Sequence, residues 1–153
     1  ELKVLEMHVE VAAKYDQLIL VHTPHLEDKL KGTKLILDVL KSDKRIKPER
    51  VIIDHVEEHT IKLVKDTGMW AGMTLYPESK CTPARAIDML EVYGTDRIWM
   101  NSACDWGISV PLAVPRTMLE MKKRGHTANL IDKVAYQNPI QFMSQSPKFK
   151  LPS

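Results

Sequence analysis

Cysteine is scarce: Cys81 and Cys104 are the only two, without CxxC spacing or enough partners for a disulfide framework. That usage fits a reducing compartment. Long apolar runs are missing too. Nothing approaches the ~20 residues of a transmembrane helix, which argues against membrane insertion. The opening ELKVLEMHVEVAAKY mixes charged and apolar residues and so does not read as a signal peptide. The net charge of +2 is too small to indicate nucleic acid or an anionic membrane as a partner. No GxGxxG or GxxxxGK follows any strand, which counts against nucleotide binding, and no HExxH is present. The expectation is a soluble protein of the cytoplasm or another reducing compartment.

What the chain does have is a repeated pattern. LILV runs into His22, VIID into His55, and RIWMNSAC towards Asp105. Continuous aliphatic runs suit strands buried on both faces of a parallel sheet. Metal-ligand residue types at the C-terminal ends of such strands are how barrel enzymes build their sites.

Between the strands the spacing becomes helical. Leu2, Leu5, Val9 and Ala12 mark a helix ending near Tyr15, and Leu35, Ile36, Val39 and Leu40 a buried stripe in a helix over 27–42. A short helix is expected over 57–66, stopped by Gly68. Another starts at Pro83 behind the N-cap Thr82 and is closed by Gly94. Strands are expected over 18–21, 51–54, 69–75 and 98–100. A Gly- and Pro-punctuated loop follows over 101–115, then a helix with Val114, Met118 and Met121 inward. Lys122, Lys123 and Arg124 stand at its C-terminal end, where cations favour the dipole. Helical segments close the chain over 129–143, before a surface tail. The order is a helix, four βα units and a helical cap: α/β, a parallel (βα)4 segment with right-handed crossovers. Residues 1–126 are assigned to this segment with its leading helix, and 127–153 to C-terminal helices and tail packed on the same domain.

Strand alternation puts His22 on a face with Leu18 and Leu20, and His55 on one with Val51 and Ile53. Asp54 then points away from His55, towards the helices or a loop. His55 is the favoured ligand of the two. In the opposite assignment His55 caps the following helix and Asp54 is the site residue. His25, after Pro24, is either a site neighbour or a solvated loop residue. His59 is expected at the surface or behind the ligands, and His8 and His126 are unremarkable.

The segments VHTPH with the following KGT, VIIDHVEEHTI, TLYPESK, YGTDRIWMNSACDWGISVPLAVP and AYQNPIQF resemble the C-terminal half of a TatD-like metal-dependent hydrolase. This family belongs to the amidohydrolase superfamily of TIM (β/α)8 barrels. The resemblance covers nearly the whole chain, and NSACDWG with PLAVP is its most specific part. It implies that the four strands are the fifth to eighth of a barrel. It also implies a divalent metal (Zn, Mn or Mg) held by His22, His55 and Asp105, with Asp105 taking the proton of the activated water. Asn101 lies nearer the strand end than Asp105 and is an alternative participant. His25, Asn101 and Trp106 are the candidate substrate contacts.

The family's HxH pair of the first strand and its bridging carboxylate have no counterpart here, so the metal site is incomplete in this chain. An open four-stranded half-barrel would leave two unpaired edges and an exposed apolar face, so the chain, which begins at Glu1 without an initiator methionine, is expected to be a fragment of something longer or to associate with a partner. Partners that would close the barrel are a missing N-terminal half-barrel, a second copy or other chains. Two functions follow: half of a hydrolase that cleaves ester, phosphodiester or amide bonds, or a non-catalytic half-barrel serving a larger assembly. A small open-sheet binding module ranks third.

Overall fold

The computed structural model describes residues 1–23, 28–76, 80–104 and 110–151. The alternation read from the sequence is present as helix α1 (Leu2–Lys14), strand β1 (Ile19–His22), α2 (Lys29–Ser42), β2 (Val51–Asp54), α3 (Ile61–Lys65), β3 (Trp70–Leu75), α4 (Pro83–Tyr93), β4 (Ile98–Ser102), α5 (Ala113–Lys123), α6 (Ala128–Asp132) and α7 (Asn138–Met143). A π-helical turn over Lys133–Gln137 joins the last two helices. The four strands form one sheet in the order β1-β2-β3-β4, and every pair is parallel.

The two faces of the sheet are buried by different partners. Val21, Ile53, Met73 and Met100 face the helices, where Leu37, Leu40, Ile87 and Met121 complete the main core. On the opposite face Ile52 and Trp70 are covered by Phe142 of α7. Phe142 stands edge-on to Trp70 and Trp99, with ring centroids 5.6 and 5.2 Å away. Burial of such a side chain contributes about 1.5–3 kcal/mol, and each edge-to-face pair about 0.5–1.5 more. Asn138, buried at the start of α7, donates to the carbonyls of Thr95 (2.7 Å) and Ile98 (2.6 Å). These bonds tie the helix to the N-terminal end of β4. The rest of this face is left open: Leu20 of β1, level with Ile52, is 58% exposed.

Helix punctuation follows the sequence closely. Thr82 caps α4 by accepting from the Arg85 amide, and Gly94 ends it at φ 74°. Gly68, at φ 77°, takes the left-handed turn before β3. Three helical details differ from expectation. In α2 Leu40 is buried and Ile36 and Val39 pack half-buried against the core as expected, but Thr33 and Leu37 are the other buried residues and Leu35 is 41% exposed. In α5 Met121 is buried and Val114 and Met118 pack half-buried against the core, as expected, but Ala113 and Thr117 are buried with Met121, Thr117 donating its hydroxyl proton to the Ala113 carbonyl (2.9 Å). The α-helix after β2 begins only at Ile61. Thr60 accepts from the Glu57 amide (2.9 Å) and so consumes that stretch in a capping turn.

Candidate metal centre

Parallel register places residues of neighbouring strands side by side, and His22 pairs with Asp54 at the ends of β1 and β2. Their side chains therefore leave the sheet on the same face, the open one. The Thr23 hydroxyl donates to the Asp54 carbonyl (2.8 Å) and holds the two strand ends together. Asp54 does not point towards the helices, as alternation with His55 suggested.

The alternation fails because the strand stops. His55 has φ 61°, a left-handed conformation that histidine tolerates better than most side chains. That turn swings its imidazole away from the helix side and over the site. His55 Nε2 lies 2.8 Å from His22 Nδ1, with ring centroids 3.9 Å apart and planes at 69°. His55 is 6% exposed. The expected pair of ligands is thus brought together, by a backbone twist that reading it as a strand residue could not supply.

Around the pair the sheet contributes a polar layer. Asp54 accepts from the His55 amide (2.7 Å), and the Thr74 hydroxyl donates to its two oxygens at 2.8 and 2.7 Å. Asp54 Oδ2 is 3.7 Å from His55 Nε2. Asn101 donates from Nδ2 to Thr74 (2.8 Å) and so belongs to this layer. Its buried Oδ1 has no protein partner among the described residues. The imidazoles, Asp54, Thr74 and Asn101 line an open cavity of about 180 Å³, with Tyr76 and Cys104 on its wall. Thr74 and Tyr76 escaped the sequence reading. Thr74 was signalled only as a polar residue at a strand's C-terminal end.

A charged rim lies beside these loops. The nearly buried Lys29 ammonium meets Glu57 at 2.8 Å, and Arg85 reaches Glu57 (3.7 Å) and Glu58 (2.6 Å). Burial alone would raise the Glu57 carboxyl, but Lys29 and then Arg85 outweigh it and hold it below its ordinary value. The Arg85 hydrogen bond does the same for Glu58. Burial pushes the Cys81 thiol up to about 12, so it stays protonated and inert.

Other candidates sort plainly. His59 and His8 are exposed, and His126 pairs with Glu91 at the surface (2.9 Å). His25, Asp105 and Trp106 lie outside the described residues. Among the described residues no three His, Cys, Asp or Glu side chains are placed to hold a metal ion. The two facing imidazole nitrogens nevertheless suit a divalent cation, because neutral imidazole is one of its usual donors.

No family model matches the chain. It is 28% identical over 144 residues to an uncharacterized metal-dependent hydrolase of Methanocaldococcus jannaschii, covering 93% of this chain and 55% of that protein. The crystal structure of a TatD-like protein from Archaeoglobus fulgidus superposes with a TM-score of 0.69 at 25% identity, covering 93% of this chain and 53% of that one. Over nearly its whole length the chain is similar to metal-dependent hydrolases of the TatD-like kind. It spans about half the length of these relatives. The phosphotriesterase homology protein of Escherichia coli, at 16% identity, shares the fold of this TatD-like chain with a TM-score of 0.71 and 53% of its own length covered. The four parallel strands thus correspond to half of a TIM barrel. Among the described residues no helix is long and apolar enough to cross a membrane.

Proposed function

We propose that this chain supplies one half of the metal centre of a hydrolase, with His22 and His55 as two ligands and Asp105 as the third. The observation that supports it most directly is the 2.8 Å approach of His22 Nδ1 to His55 Nε2 at the ends of adjacent parallel strands. When bound, a divalent metal lowers the pKa of a coordinated water and so generates a hydroxide nucleophile near neutral pH. The residues supply the rest. His22 and His55 would hold the metal through their ring nitrogens, and Asp105 would take the proton of its water. The candidates for contacting the substrate, an ester, phosphodiester or amide, are His25, Asn101 and Trp106.

The complementary half of the barrel is proposed as the partner. The test uses the full-length protein. Zinc or manganese at near-stoichiometric content and hydrolysis of a phosphodiester or amide substrate are expected, with His22→Ala and His55→Ala each losing metal and at least ~100-fold of activity, since ligand loss costs more than the 10–100-fold of outer-shell changes. Unchanged metal content in both variants would overturn the reading.

A further inference from the structure

Asp54 is held more tightly than a solvent-facing strand-end carboxylate needs to be. Its Oδ1 accepts the amide of His55 at 2.7 Å, the peptide whose left-handed turn carries the imidazole into the site. Thr74 has one hydroxyl proton and commits it to this carboxylate, because its own oxygen already accepts from Asn101. Strand β3 is bare where the carboxylate lies: a β-carbon on Gly72 would stand 2.6 Å from Asp54 Oδ1. The Gly72 carbonyl, meanwhile, accepts from the amide of Val56 (3.0 Å), immediately after His55. Strands β2 and β3 therefore converge on one carboxylate and the peptide it grips, and Asn101 of β4 stands behind Thr74.

The geometry points to Asp54 as the positioning residue of the imidazole pair. It locks His55 in the left-handed conformation and sets Nε2 opposite His22 Nδ1 before a cation arrives. Thr74 and Asn101 fix the carboxylate, and Gly72 makes room for it. This rests on the reading of His22 and His55 as metal ligands.

The test is Co2+ and Zn2+ binding to the full-length protein, followed by calorimetry and by the visible spectrum of the Co2+ form. Asp54→Ala and Gly72→Ala are expected to weaken binding 10–100-fold, the range for residues behind a metal ligand, and to change the Co2+ spectrum. Thr74→Val is expected to weaken it about tenfold, with Thr74→Ser restoring both affinity and spectrum. A residue needed only for folding would alter the fraction of active protein without changing the spectrum of what folds. Wild-type affinity and spectrum in Asp54→Ala would overturn the assignment. Should that variant not fold, the same result in Thr74→Val would do so. If His22→Ala leaves metal binding intact, the underlying metal-centre reading fails. If it abolishes binding while Asp54→Ala does not, only the role of Asp54 fails.

Discussion

At the residue scale, burial decides which charges are held firmly. Lys29 and Glu57 have side chains only 7% and 22% exposed and meet at 2.8 Å beside the turn that follows His55. Replacing Lys29 with Met keeps the aliphatic stem and removes the donor, leaving Glu57 with Arg85 at 3.7 Å. The expected cost is about 1–3 kcal/mol at pH 7, the range for stranding a partly buried polar group. The pH dependence has a definite sign. The folded carboxyl sits below its ordinary value of 4.5, so its stabilisation is complete above that value and is lost as pH falls through the lower, folded one. The gap between wild type and Lys29→Met in urea unfolding should therefore narrow from pH 7 to pH 3, and a constant gap would refute the pairing as its cause. The histidines were legible because imidazoles are costly at the end of aliphatic runs. The role of Asp54 was not. Period-two alternation assigns opposite faces to residues 54 and 55 only while the strand continues, and nothing local announces the left-handed turn at His55.

At the element scale the alternation of strands and helices could be read because apolar runs, caps and glycine stops agree with one another. Helix phase was less legible. In α2 the apolar residues Leu35, Ile36, Leu37, Val39 and Leu40 compete for the inward stripe; Leu37 and Leu40 are buried with Thr33, Ile36 and Val39 pack at the edge of the core, and Leu35 faces out. The role of α7 was illegible, since a six-residue segment has too few turns to show a face. Its function follows from where Phe142 goes: between Trp70 and Trp99, plugging the N-terminal end of the open sheet face. Phe142→Ala should cost about 3–5 kcal/mol by the usual cavity cost. Asn138→Ala strands two inward carbonyls, those of Thr95 and Ile98, and should cost about 1–3 kcal/mol. Thermal and urea unfolding measure both. If α7 were an accessory, each variant would stay within ~0.5 kcal/mol of wild type, as surface changes do.

At the scale of the whole molecule, the same sheet face is covered in part and open in the rest. Among the described residues β1 and β4 each pair on one side only, so both edges keep unmatched backbone groups. Leu20 lies on the open face at 58% exposure, and α1 shows Val4, Met7 and Val11 to solvent at 53–61%. An exposed apolar face of this kind marks an interaction surface, and the complementary half-barrel proposed above would cover it. The 153-residue chain by itself is therefore expected to self-associate and to bind the dye ANS, as light scattering and fluorescence would show. Leu20→Glu should reduce both signals in the isolated chain, because it makes the uncovered face polar. With the proposed complementary half of the barrel in place, the same change should instead destabilise by several kcal/mol, since an unpaired carboxylate would then be buried. The opposite signs are what separate a covered face from an exposed one. An isolated chain that is monomeric and dark to ANS, with Leu20→Glu harmless in both forms, would mean that this face needs no partner and that the two histidines stand at the rim of an open sheet.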